Sequence, residues 1–183
     1  AAAHLANESG KLTQVAALAS QDSSYFLDLQ TRTGWGQTLA GFAAWCAPQA
    51  GCRTLDVGCG PGLLPALFGR AGCRAVGVDV DAGMFLPAPL HAPVLQADVF
   101  HLPFAAGVFN LVTASNLLFL LEQPAPAVVE LRRVLCAGGR LCLLNPSEAM
   151  SVQAAGMLAD QRGLDGLARE TLLNWARRAE SYA

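Results

Sequence analysis

Short apolar runs, several closed by an acidic residue, alternate along this chain with stretches whose apolar positions recur every three or four residues. Trp35, Leu39, Phe42 and Cys46 follow the helical period, which predicts a helix over about 34 to 46, stopped near Pro48. Residues 53–57 read as a first strand. The stripe Leu63, Leu64 and Leu67 predicts a helix over about 62 to 70 that ends towards Gly72, and residues 75–79 read as a second strand. Pro87, Pro89 and Pro93 interrupt the next segment, so any helix starting near Asp81 must be short. Residues 94–97 form the third expected strand. Residues 109–114 form the fourth, a near-continuous apolar run that fits a strand covered on both faces. Val128, Leu131, Val134 and Leu135 give residues 125–135 a covering-helix pattern. Gly138 and Gly139 then turn the chain into a fifth strand over 140–145. Beyond it, Leu164, Leu167, Leu172, Trp175 and Ala179 mark a helical apolar face that Tyr182 extends.

Strands and helices alternating in this way imply right-handed crossovers and a parallel sheet, hence an open, doubly wound α/β domain. Ligands of such sheets sit beyond the carboxyl ends of the strands, where Asp56, Asp79, Asp98 and Ser115 all fall. Between Asp56 and the first crossover helix runs Gly58-Cys59-Gly60-Pro61-Gly62. Glycine at every second position permits positive φ and the close approach of a ligand, and the helix start behind it offers free N–H groups.

Composition narrows the partners. At 183 residues the chain makes one domain with a substantial core, and charged residues are only 14 % of it. A net charge of -2, with Lys11 the only lysine and the arginines dispersed, argues against a phosphate-neutralising nucleic-acid surface. No apolar run reaches the roughly 20 residues that span a bilayer, so no membrane partner is expected. Residues 1–4 lack an apolar signal core and read as a trimmed end. The six cysteines show no Cys-x-x-Cys pair and no histidine at ligand spacing. No metal site is expected, and four of the six read as small buried hydrophobes of a reducing, cytoplasmic protein.

The ordered set of motifs resembles the class I S-adenosylmethionine-dependent methyltransferases, particularly the small-molecule branch called type 11. The resemblance covers roughly residues 50 to 147. It rests on Leu55-Asp56-Val57-Gly58-Cys59-Gly60-Pro61-Gly62, Gly77-Val78-Asp79-Val80, and Gln96-Ala97-Asp98 with Leu102-Pro103-Phe104. Phe109-Asn110-Leu111-Val112 and Leu131-Arg132-Arg133-Val134-Leu135-Cys136-Ala137-Gly138-Gly139 complete it. It implies a Rossmann-like sheet in the order 3-2-1-4-5, with S-adenosylmethionine as cofactor and S-adenosylhomocysteine as product. The Gly58–Gly62 turn, Cys59 and Gly60 included, would pack against the methionyl part, with Asp56 beneath it. Asp79 would accept from the ribose hydroxyls, with Val80 and Met84 flanking adenine. Asp98 would take the adenine amino group and the Val99 N–H a ring nitrogen, while backbone at Ala114 or Ser115 would hold the methionyl amine. Residues 1–48 would be a helical lid, 49–147 the cofactor-binding core, and 148–183 a helical segment of the same domain.

The chain departs from that family at Asn110, where Asp is usual, and in the prolines after the second strand. The family also closes its sheet with two more strands, and this chain ends before them. Its fifth strand is then an apolar edge, expected to be covered by residues 150–182 or by a partner such as a second copy in a homodimer.

No catalytic dyad is visible, and no catalytic residue is assigned; methyl transfer from sulfonium needs mainly positioning and desolvation. Residues 115–118 carry neither the Asn/Asp-Pro-Pro-aromatic pattern of DNA amino-methylating enzymes nor a Pro-Cys pair. The expected acceptor is therefore a small or apolar molecule. Two alternatives stand beside this reading: a non-catalytic nucleoside-binding subunit, and a nicotinamide-dependent oxidoreductase. Against the second, Leu63 stands where a third glycine of the dinucleotide pattern belongs. Ordinary packing is the expectation for Tyr25, Trp35 and Trp175, a cap for Asp81, and solvent for Glu122 and Arg132-Arg133. His4, His91 and His101 read as loop or surface residues.

Overall fold

The computed structural model describes residues 23–85, 93–147 and 149–181; His4, Lys11, Pro87, Pro89, His91 and Tyr182 fall outside them. Helices α1 (Ser23–Arg32) and α2 (Gly34–Cys46) come first. Thr33 separates them: its hydroxyl donates to the Leu29 carbonyl at 2.6 Å and accepts from the Trp35 N–H at 3.1 Å, ending one helix and capping the next. The chain then alternates through β1 (Arg53–Val57), α3 (Leu63–Arg70) and β2 (Arg74–Asp79), followed by a 3-10 turn (Ala82–Phe85) and β3 (Val94–Gln96). Next come β4 (Phe109–Ser115), a second 3-10 turn (Leu118–Leu120), α4 (Pro124–Val134) and β5 (Leu135–Leu144). Helices α5 (Val152–Gln161) and α6 (Gly166–Glu180) follow.

The five strands form one sheet in the order β3-β2-β1-β4-β5, and every pairing is parallel. This is the expected doubly wound arrangement. Side chains alternate between faces along each strand, so Leu111 and Val112 enter different cores. On one face Leu55, Val57, Val78 and Val112 pack with Leu131 and Val134 of α4. On the other, Leu39 and Phe42 of α2 meet Leu64, Phe68 and Leu111. Asn110 is structural: its Oδ1 accepts from the Arg53 N–H at 2.9 Å, tying β4 to the start of β1.

Three details differ from the sequence reading. Strand β5 begins at Leu135, directly after α4, instead of after the glycine pair. Phe109 pairs with Leu135 but Leu111 pairs with Arg140, so the glycines lie in an irregularity inside the strand. Gly138 takes φ 74° there, and a Cβ on Gly139 would lie 2.9 Å from the Cys136 carbonyl oxygen. Second, the residues after β5 bury small side chains: Ala155, Ala159, Thr171 and Ala176 are buried, while Leu164, Leu167, Leu172 and Trp175 are half-buried. They face the N-terminal helices, where Tyr25 Oη lies 2.6 Å from Thr171 Oγ1 and the Trp35 and Trp175 rings meet edge-on at 4.7 Å. Among the described residues, the main neighbours of β5 are β4 and α4, and the helices after β5 pack chiefly on each other and on the N-terminal helices. Third, Arg133 is no idle surface residue. It pairs with Glu130 at 2.6 Å and donates to the carbonyls of Leu102 and Phe104, fastening that loop to α4.

Candidate active site

The glycine turn hangs on the second strand. The N–H groups of Gly58 and Cys59 both donate to the Val78 carbonyl, at 2.9 and 3.0 Å. Gly58, Gly60 and Gly62 take φ of 72°, 52° and 93°, a region that side chains other than glycine seldom occupy. A Cβ on Gly58 would stand 3.2 Å from Leu117, which follows β4, so the turn is held close to the end of the fourth strand. Cys59 turns inward and is 3 % exposed; burial drives its thiol well above the usual range. Its sulfur lies over Gly77, where a Cβ would come within 2.7 Å of it and 2.8 Å of Pro65. Cys59 can thus meet a ligand only through its backbone.

Asp79 ends β2 beneath this turn. Its Oδ2 accepts from the Gly60 N–H at 2.9 Å and its Oδ1 from the Asp81 N–H at 3.1 Å. Burial raises its pKa, and the amides of Asp81, Gly60 and Val80 oppose the rise. A carboxylate offers about four lone-pair sites, so acceptor capacity remains beyond these amides. Asp56 lies deeper, 1 % exposed, and its Oδ1 accepts from the Thr113 hydroxyl at 2.7 Å across the β1–β4 pair. Burial, partly offset by that hydrogen bond, pushes its pKa up to about 7, and the Asp79 charge adds to the rise. Asp56 and Asp79 therefore share one electrostatic neighbourhood.

Asp98 follows β3 at the same rim but faces its own loop: Oδ1 accepts from the Phe100 N–H at 3.0 Å, and Oδ2 lies 3.7 Å from the exposed His101 ring. Val99 and Met84 are buried, at 8 % and 6 % exposure. Val80 is half-buried, and its carbonyl accepts from Gln96 at 2.8 Å. Asp81 caps the turn after it, accepting from the Gly83 N–H at 2.8 Å. Ala114 is buried opposite Val57, with Ser115, half-buried, at the end of β4.

Two residues join this rim that the sequence did not single out. Gln30 reaches down from α1, and its Oε1 accepts from the Leu63 N–H, the first residue of α3, at 3.3 Å. Its Nε2 lies 3.6 Å from where a Gly60 side chain would begin. Nothing in the periodicity of α1 marks Gln30. Asn116, next after Ser115, holds φ 52°, and its Nδ2 is buried without a hydrogen-bond partner among the described residues. A polar residue in left-handed conformation at a strand's carboxyl end is a sequence-visible candidate only once the strand boundary is known. A third, Thr113, did carry a signal: it is a hydroxyl within the apolar stretch from Leu111 to Ala114.

The matches to known proteins fall on this region. A family model described as a methyltransferase domain matches residues 55–143, from β1 to β5. A malonyl-[acyl-carrier protein] O-methyltransferase of Legionella pneumophila is 32 % identical over 121 residues, covering 60 % of this chain and 42 % of that protein. A demethylmenaquinone methyltransferase of Corynebacterium kroppenstedtii is 34 % identical over 96 residues, covering 51 % and 42 %. The chain thus spans less than half the length of these relatives. Among solved structures, an S-adenosylmethionine-dependent methyltransferase of Mesorhizobium loti superposes with a TM-score of 0.52 at 25 % identity, over 62 % of this chain and 57 % of that one.

Proposed function

We propose that this chain, a class I S-adenosylmethionine-dependent methyltransferase of the type 11 family by its residues 55–143, binds that cofactor at the Gly58–Gly62 rim and methylates a small or apolar acceptor. One observation carries the cofactor reading. Asp79 is anchored by the amides of Gly60 and Asp81 with acceptor capacity to spare, beside a turn whose three glycines all take positive φ. An ionised carboxylate with acceptor capacity beyond its amide partners suits the paired hydroxyls of a ribose. Asp98 and the Val99 N–H are assigned the adenine edge, Val80 and Met84 its faces, and the backbone of Gly58, Cys59, Gly60, Gly62, Ala114 and Ser115 the methionyl end. Asp56 supports the turn from below, where a positively charged ligand would favour its ionised form.

When bound, S-adenosylmethionine supplies a methyl group on a positively charged sulfur, activated for in-line displacement by an acceptor's electron pair. The chain's task is then to position and to exclude water. Helices α1 and α2, bridged to α6 through Tyr25–Thr171 and Trp35–Trp175, form the wall that would do so. The relatives named for malonyl-[acyl-carrier protein] and demethylmenaquinone support a non-nucleic-acid acceptor. Titration calorimetry with S-adenosylhomocysteine and with NAD tests the cofactor. Binding of the first alone supports the reading, and binding of NAD alone overturns it in favour of an oxidoreductase. Methyl transfer to quinol and acyl-thioester acceptors then tests the substrate class, and cofactor binding without turnover on any acceptor points to a non-catalytic subunit.

A further inference from the structure

At the opposite end of the sheet from the glycine turn, two cysteines stand side by side. Cys52 precedes β1 and Cys73 precedes β2, and the parallel register that pairs Arg53 with Arg74 sets them next to each other. Backbone hydrogen bonds bracket the pair: Gly51 N–H to the Gly72 carbonyl at 2.8 Å, and Arg74 N–H to the Cys52 carbonyl at 2.9 Å. Their sulfurs are 3.6 Å apart, and both residues are half-buried, within reach of a small reagent. Adjacent strands run about 4.8 Å apart, inside the Cα separation that a disulfide tolerates. The other cysteines differ. Cys46 and Cys142 also neighbour each other, but at 0 % and 7 % exposure they are shut in the core. Cys59 is buried, and Cys136 packs beside Asn110.

We propose that Cys52 and Cys73 are a reversible dithiol–disulfide site, closed by exchange with a low-molecular-weight disulfide such as oxidised glutathione. One protein thiolate attacks a glutathione sulfur; that S–S bond breaks and the first glutathione leaves as a thiol, carrying a proton. The second protein thiolate then attacks the mixed disulfide at the protein sulfur and expels the second glutathione. Two protein thiols lose two electrons and two protons, and one glutathione disulfide gains them. The closed ring, residues 52–73, contains β1, the glycine turn and α3, the whole unit that carries the proposed cofactor cradle. Burial and the neighbouring Cys52 hold the Cys73 thiol up at about 11, so exchange is slow at neutral pH and accelerates as pH rises.

The test is incubation of the whole chain with oxidised glutathione at pH 8, acid quench, and tryptic mass mapping. Cleavage after Arg53, Arg70 and Arg74 separates the two cysteines onto different peptides. The expected product is a Cys52–Cys73 cross-linked pair, two of the six thiols lost, and a melting temperature higher by roughly 5–10 °C. Dithiothreitol and the Cys52→Ser variant should each abolish the shift. Glutathione adducts without a cross-link, a Cys46–Cys142 cross-link in its place, or no reaction would each overturn the proposal.

Discussion

The side-chain carbonyl of Gln30 accepts a hydrogen bond from the Leu63 amide at 3.3 Å, so the helix ahead of the sheet caps the helix that follows the glycine turn. Leu63 is the first residue of α3, and the residue before it, Gly62, has no side chain to do the capping. A neutral hydrogen bond of this kind contributes about 0.5–1.5 kcal/mol. Gln30→Ala should therefore raise native-state exchange at the Leu63 amide by roughly fivefold while leaving amides of β4 unchanged. Uniform acceleration across the sheet would mean that Gln30 serves global stability and not this local cap.

Asp79 is tested by Asp79→Asn, which keeps the side chain's shape and one acceptor oxygen but removes the charge. Loss of a charge-assisted hydrogen bond costs about 1.5–3 kcal/mol, so affinity for S-adenosylhomocysteine should drop on the order of tenfold or more. Calorimetry on parent and variant measures it, and equal affinities would remove Asp79 from the ribose. From sequence alone, Asp79→Ala looks like the natural test and should spare the free protein. The structure shows why asparagine is the milder change: alanine would leave both the Gly60 and Asp81 amides without their acceptor and loosen the turn, whereas asparagine keeps an acceptor for one of them.

The sheet was legible because its code is local. An apolar run with a carboxylate at or near its end marks the carboxyl side of a strand: Asp79 ends β2, Asp56 lies one residue inside the end of β1, and Asp98 two beyond β3. What stayed hidden depends on pairings distant in sequence. Gln30 acquires its partner 33 positions later. The Gly138-Gly139 pair reads as a turn, yet it becomes a bulge because Leu135 already pairs with Phe109. The helical period after β5 marks Leu164, Leu167, Leu172, Trp175 and Ala179, but close approach of α5 and α6 buries Ala155, Ala159 and Ala176. Thr171 is buried there because Tyr25 supplies its hydrogen-bond partner, which no local pattern encodes.

Thr54 offers a stability test remote from the rim. It is fully buried in β1, and its hydroxyl has no hydrogen-bond partner among the described residues. Such a group carries a desolvation cost of about 1–3 kcal/mol that an apolar side chain of the same shape avoids. Thr54→Val should stabilise the chain, raising its melting temperature by roughly 2–4 °C per kcal/mol recovered. A lower melting temperature would show that the hydroxyl is satisfied in solution, by water or otherwise.

Asp56 makes the free protein's stability depend on pH in an uncommon direction. Burial raises its pKa from 3.8 to about 7 in the fold, so between those values the unfolded chain has released a proton that the folded chain keeps. The unfolded state then binds fewer protons, and stability falls as pH rises. The fall begins near pH 4, continues to about pH 7 and levels off above it, amounting to about 4 kcal/mol for a shift of this size. Asp56→Asn is neutral throughout and keeps an oxygen to accept from Thr113. Urea midpoints of the ligand-free protein should therefore coincide for parent and variant near pH 4 and diverge towards pH 7, the variant being the more stable. Groups common to both cancel in the difference. Curves that run parallel across this range would place the folded-state titration of Asp56 near its ordinary value, and with it remove the electrostatic strain beneath the glycine turn.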